Sequence, residues 1–202
     1  IALLIDHKDA FAKAVSADFG HRSTEQTLMM DIMPSVGALK HAKKHFEAWS
    51  RDEKRAAMFP LGLIGAKAKV VYQPKGVVGV IAPWNFPVGM VMVPLAGILA
   101  AGNRAMIKPS EFTERVAEVF AEVVPQYFAE DEMAVFTGGV DVGTAFSKLA
   151  FDHLIFTGAT SVGKHIMRAA ADNLVPVTLE LGGKSPTFIG RSADKKKAGE
   201  RI

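Results

Sequence analysis

From Gly76 onward, five short runs rich in apolar residues ("GVVGVIAP", "RAMIKPS", "MAVFTGG", "HLIFTG" and "VTLELGG") alternate with helical stretches. The helical stretches are Phe86–Ala101, Thr113–Phe128, Val142–Leu149 and Ser161–Asn173. No other feature constrains the fold as tightly. Each connection is long enough to cross over the sheet, so successive strands are free to pair in parallel. Parallel strands are buried on both faces and need helices on each side. The expectation is a doubly wound α/β sheet. In such a sheet ligands sit beyond the carboxyl ends of the strands. Here those ends read "PWNFP", "KPSE", "FTGATSVG" and "ELGGKSP", which places four unusual sequences around one crevice.

Residues 1–65 have a helical period. Leu3, Leu4, Phe11, Ala14 and Val15 form one apolar stripe, and Leu28–Trp49 carries another. Gly20 breaks the first helix, and Pro34 lies within or between later segments. This part is predicted to be helical and to pack on the sheet. Strands are predicted at Lys69–Gln73 and Val77–Ala82, joined through Pro74, Lys75 and Gly76.

Composition narrows the function. The 202 residues are 49% hydrophobic and 22% charged, with a formal net charge of +3 spread along the chain. That spread leaves no basic footprint for nucleic acid. There is no cysteine, which excludes disulfides and thiolate metal sites and fits a reducing, cytoplasmic setting. The most apolar stretch, Phe86–Gly102, is too short to span a bilayer and contains Pro87 and Pro94. The six histidines offer only one helical pair, His41 and His45, with no glutamate or third ligand, so no metal site is expected.

The strand endings hold the candidate site. In "FTGATSVG" the glycines at 158 and 163 bracket a strand-to-helix turn whose backbone N–H groups suit a pyrophosphate; the same spacing also serves an ordinary tight turn. Lys108 and Glu111 in "IKPSE" are placed to hold a ribose, or simply to sit at a helix start. Asn85 is either an N-cap for the next helix or an amide donor to a developing oxyanion. Trp84 beside it is a pocket wall or core. In "VTLELGG" the period of two puts Thr178 and Glu180 on one face. If that face is covered, desolvation would make Glu180 a general base near neutral pH. The alternative is an exposed carboxylate paired with Lys184.

Taken together and in this order, the four endings resemble the NAD(P)-binding part of the aldehyde dehydrogenase family over nearly the whole chain. The sequence around "DFGHRS" and "AAGNRAMIKPSE" is most similar to the branch with a short N-terminus that acts on coniferyl-type aromatic aldehydes. The resemblance implies that Asn85 and Glu180 are catalytic, as oxyanion donor and water-activating base. It implies cofactor contacts from Ala82, Pro83, Trp84, Lys108, Ser110, Glu111, Gly158, Ala159, Val162, Leu181 and Gly182. Glu111 at the ribose favours NAD, although some relatives tolerate NADP. Ala159 stands where many relatives have serine, which removes one hydroxyl contact to the pyrophosphate.

It also implies a small-molecule aldehyde substrate, a homodimer or tetramer, and a β-hairpin oligomerisation extension that starts at 66–78, ahead of a dinucleotide-binding unit at 77–202. In the family, a cysteine thiolate attacks the aldehyde, hydride passes to the nicotinamide, and activated water releases the acid. That cysteine lies a few dozen residues beyond the glutamate. The chain is therefore expected to be truncated at both ends and inactive alone. Two other readings remain open. One is a stand-alone nucleotide-binding or scaffold module. The other is an enzyme that reduces an activated acyl group to a semialdehyde, which the presence of Glu180 disfavours.

Overall fold

The computed structural model describes residues 1–201. Ile202, the last residue assigned to the dinucleotide-binding unit, lies outside the described residues. The chain opens with helices α1 (Ala2–Asp6), α2 (Lys8–Phe19), α3 (Thr24–Thr27) and α4 (Met33–Trp49). Two short strands follow, β1 (Glu53–Arg55) and β2 (Ala68–Val70). The remaining elements alternate as expected: β3 (Val77–Ile81), α5 (Gly89–Ala100), β4 (Arg104–Lys108), α6 (Glu114–Val123), β5 (Met133–Val135), α7 (Val140–Ser147), β6 (His153–Gly158), α8 (Thr160–Ala171), β7 (Val177–Leu181) and the short α9 (Lys195–Gly199).

Strands β3 to β7 form one parallel sheet in the order β5-β4-β3-β6-β7. The chain moves outward from β3 to β5, returns across the middle, and continues outward on the other side. This reversal opens a crevice between the ends of β3 and β6, the place where open α/β sheets bind ligands. Alternation along the strands divides the core. Val78, Val80, Ala105 and Ile107 face the layer built from α1, α2, α4, α5 and α6. Val77, Ile81, Met106, Leu154 and Phe156 face the layer of α7 and α8. The doubly wound architecture is the one the strand rhythm predicted.

The N-terminal stripe is buried as expected, with Leu4, Phe11 and Val15 fully inside. Phe11 meets Phe120 of α6, ring centroids 4.8 Å apart, and this contact seats α2 on the sheet's helical layer. Asp18, at the end of α2, accepts hydrogen bonds from the amides of Arg115 and Val116 at 3.2 and 3.1 Å. It caps α6 from a distance, where Thr113 supplies no cap of its own.

Several boundaries differ from the sequence reading. The long helices end at Trp49, short of the predicted 65; Glu53–Arg55 pairs antiparallel with Ala68–Val70, and between these strands a single 3₁₀ turn, Leu61–Ile64, keeps the helical character. These strands are short and largely exposed, so they carry no hydrophobic alternation to reveal them. The strand predicted at Lys69–Gln73 is accordingly shorter. Pro34 lies inside a continuous helical rod: a π-turn at Leu28–Ile32 precedes it and absorbs its missing N–H. Helix α5 starts at Gly89, with Val88 as N-cap, three residues later than predicted.

Because Phe11 joins two elements, Phe11→Ala is expected to cost about 3–5 kcal/mol. The exposed Met58 replaced by Ala should stay within about 0.5 kcal/mol. Urea unfolding midpoints of the two variants check the contrast.

Candidate functional site

A cavity of about 560 Å³ opens at the switch point. It takes Ala82, Pro83 and Trp84 from the end of β3, Lys108, Ser110 and Glu111 from the end of β4, and Gly158, Ala159 and Val162 from the turn into α8. Residues that arrive from three strand endings thus share one wall system, as their positions in the sheet require. The register aligns these endings directly: Ile81 lies opposite both Lys108 and Phe156.

Lys108 is the best-defined polar group. Its side chain is almost fully buried, and Nζ donates to the Pro109 carbonyl at 2.8 Å and to Glu111 Oε2 at 3.4 Å. Removing an ammonium from water costs several kcal/mol unless partners replace the hydration. Here a carbonyl and a partly exposed carboxylate do so, and they hold the charge at the cavity wall. Ser110 braces the same loop, its Oγ accepting from the Phe112 amide at 3.3 Å.

The N-terminus of α8 faces the cavity without a capping side chain, because Ala159 occupies the N-cap. The first backbone N–H groups of a helix have no partner within it and carry a partial positive charge. Both bracketing glycines make room for protein rather than for ligand. A Cβ on Gly158 would come within 2.6 Å of the Phe156 ring, and one on Gly163 within 2.9 Å of Leu181. The first lets Phe156 fold under the turn, and the second lets α8 lie close against β7.

The other four predicted residues lie outside the cavity lining. Leu181 packs against Gly163 behind the turn, and Gly182 is exposed with no close neighbour. Glu180 is exposed as well. Strand β7 is the sheet edge, and only its Val177 and Leu179 face is backed by α8. The burial expected of Glu180 is therefore absent, and no ion pair with Lys184 forms among the described residues. Asn85 is neither an N-cap nor buried. Its carbonyl accepts from Arg22 Nη1 at 2.8 Å, and its side-chain amide makes no hydrogen bond to another described residue.

Two features escaped the sequence reading. The first is the α7 wall, where Gly139, Gly143, Thr144 and Ser147 line the cavity. The small residues of "GGVDVGT" are its signal: the Lys108 side chain runs past Gly143, where a Cβ would stand 4.0 Å from its Cε. The second is a polar cluster beneath the Asn85 loop. Asp31 is fully buried, and its Oδ1 accepts from the Gly89 amide at 2.7 Å. Its Oδ2 has no hydrogen-bond partner and lies 3.7 Å from Arg22 Nη1. Burial raises the Asp31 pKa above the ordinary carboxylate value, against the opposing pull of the Gly89 amide and the Arg22 guanidinium. Nothing local in the sequence announces a pairing over such separations.

A partly exposed carboxylate beside a buried ammonium, an open helix N-terminus and an apolar wall suit a phosphorylated dinucleotide. Fold and site thus define a doubly wound α/β domain of the dinucleotide-binding type. Comparison with known proteins narrows this further, since the family model of the aldehyde dehydrogenase family matches residues 1–202. The chain belongs to the aldehyde dehydrogenase family.

Among curated relatives, it is 57% identical to a coniferyl aldehyde dehydrogenase of Pseudomonas sp. (strain HR199), over all of this chain and 41% of that protein. It spans about two fifths of that relative's length. Among solved structures it is similar to the substrate-bound state of Staphylococcus aureus AldH, with TM-score 0.86, 35% identity, and coverage of 98% of this chain and 43% of that one. A Mycobacterium tuberculosis aldehyde dehydrogenase complexed with NAD+ gives TM-score 0.75 and 34% identity, covering 90% of this chain and 37% of the other.

Gly158→Ala would push its Cβ into the buried Phe156 ring, which is expected to cost about 1–3 kcal/mol. Pairing it with Phe156→Leu should recover part of that loss in a double-mutant cycle. Additive losses would contradict the contact.

Proposed function

We propose that these residues form the cofactor-binding part of an NAD-dependent aldehyde dehydrogenase that oxidises an aromatic, coniferyl-type aldehyde to the acid. The observation that carries this reading is the cavity itself, where the Lys108–Glu111 pair and the uncapped α8 terminus face one space at the topological switch point. The coniferyl assignment rests on identity to the Pseudomonas relative. The name of the Mycobacterium complex supports NAD as the cofactor.

Each residue has a part in this chemistry. Glu111 accepts hydrogen bonds from the adenosine ribose hydroxyls, and Lys108 holds that carboxylate in place. A 2′-phosphate at the same spot would meet the Glu111 charge, so NAD is preferred to NADP. The amides opening α8 receive the pyrophosphate, and Val162 lies against the adenine side. Bound NAD supplies the hydride acceptor. Asn85 directs its free amide at the oxygen that gains charge as the carbonyl is attacked. Glu180, exposed at the sheet edge, takes a proton from the water that releases the acid.

The attacking thiol comes from outside these residues, which contain no cysteine. The Lys69–Val78 region opens an extension through which the enzyme forms a dimer or tetramer in the cytoplasm. Among the described residues no helix is long and apolar enough to cross a membrane.

The 202 residues alone should bind NAD yet yield no NADH with coniferaldehyde. Absorbance at the reduced-nicotinamide band checks this, and aldehyde-dependent NADH from the pure chain would overturn it. In an active enzyme that carries this sequence, Glu111→Gln should narrow the NAD over NADP preference in kcat/KM by about tenfold or more. An unchanged preference would remove Glu111 from the ribose site.

A further inference from the structure

We propose that the Asp18–Arg22 segment, which runs from the last turn of α2 past its Gly20 C-cap, is a positioning element for both rims of the cavity, and that Arg22 is the residue that orients Asn85. No residue of α2 lines the cavity, yet the last turn of this helix touches both loops that frame it. The inference rests on the reading of Asn85 as oxyanion donor given above.

On one rim, Arg22 is held from three sides. Its guanidinium carbon lies 3.7 Å from the centroid of the Phe19 ring and 5.7 Å from that of Phe86. Its Nη1 lies 3.7 Å from Asp31 Oδ2 and donates to the Asn85 carbonyl at 2.8 Å. Phe19 also reaches Trp84, with ring centroids 6.1 Å apart. Trp84, Asn85 and Phe86 are thus each touched by Phe19 or Arg22, while the loop they form has no regular secondary structure of its own.

Asp31 anchors the far side of the same loop, where its Oδ1 accepts from the first amide of α5. The planar guanidinium suits this role. It can stack on a ring, face a carboxylate and donate to a carbonyl at once, whereas a lysine ammonium offers only a point charge. With the Asn85 backbone pinned at its carbonyl, the free side-chain amide swings about few bonds. A donor that must meet an oxyanion within a narrow range of distance needs such restraint.

On the other rim, Asp18 caps α6 through the amides of Arg115 and Val116. That helix begins after the short loop carrying Ser110 and Glu111, which leaves Lys108 at the end of β4, so the cap fixes the far end of the loop that holds the ribose carboxylate. Gly20, with φ of 73°, turns the chain between the two contacts. Two loops from different strands are therefore set by five consecutive residues at and just past the end of α2.

The two contacts make different kinetic predictions in the active enzyme. Arg22→Met should lower kcat by about 100-fold with KM for NAD changed by no more than about twofold. Asp18→Ala should do the reverse, raising KM for NAD several-fold while kcat falls little. Arg22→Lys keeps the charge beside Asp31, and it should retain the wild-type melting temperature while still losing most of kcat. Hydrogen exchange at the amides of Gly89 and Met90, which bond to Asp31 Oδ1 and to the Phe86 carbonyl, should quicken by about tenfold in both Arg22 variants, with other cavity amides unchanged.

Unchanged exchange at these amides, or faster exchange with full kcat, would overturn the inference. So would a fully active Arg22→Lys enzyme. If a longer enzyme that carries this sequence and supplies the cysteine shows no aldehyde oxidation at all, the proposed function falls, and the exchange data still decide whether Arg22 holds the loop.

Discussion

The middle of β3, Val78 to Val80, is buried: β4 and β6 flank the strand, and a helical layer covers each face of the sheet. Its polar groups must pair with both neighbours, and its side chains must be apolar on both sides. The rest of the structure follows from this strand. With β3 central, the chain has to build outward in one direction and then return to build in the other. Loops therefore diverge at the carboxyl end between β3 and β6. The cavity forms there because no crossover helix passes over that point.

Among the described residues two charged side chains, Lys108 and Asp31, are nevertheless buried, and both stand beside this divergence. Lys108 ends β4 with its charge held by a carbonyl and by Glu111. Asp31 ends inside the helical layer with one oxygen on the α5 amide and the other short of a hydrogen bond. Burying such groups opposes folding, and a core made only of aliphatic residues would avoid the cost. Their positions are informative. Lys108 shapes the wall of the cavity, and Asp31 holds the loop that leads away from β3.

The legible parts of the sequence were those with local cause. Apolar strands separated by helical periods determine the sheet, and the strand endings point to Lys108, Glu111, Gly158 and Val162 as neighbours although they are far apart in the chain. Less legible were effects that depend on tertiary partners. The alternation in "VTLELGG" shows which face Glu180 takes, but not that β7 is an edge whose second face stays open. Arg22 and Asp31 look like ordinary helix-end and helix-interior residues until the fold brings Asn85 and Gly89 to them. The strand at Glu53–Arg55 is too short and too polar for any pattern to betray it.

The most direct measurement is a crystal structure of this chain with NAD bound. The account predicts the ribose hydroxyls within hydrogen-bond distance of Glu111 and the pyrophosphate against the first amides of α8, with the adenine between α7 and α8. A nucleotide bound elsewhere, or a cavity that stays empty at saturating NAD, would contradict it.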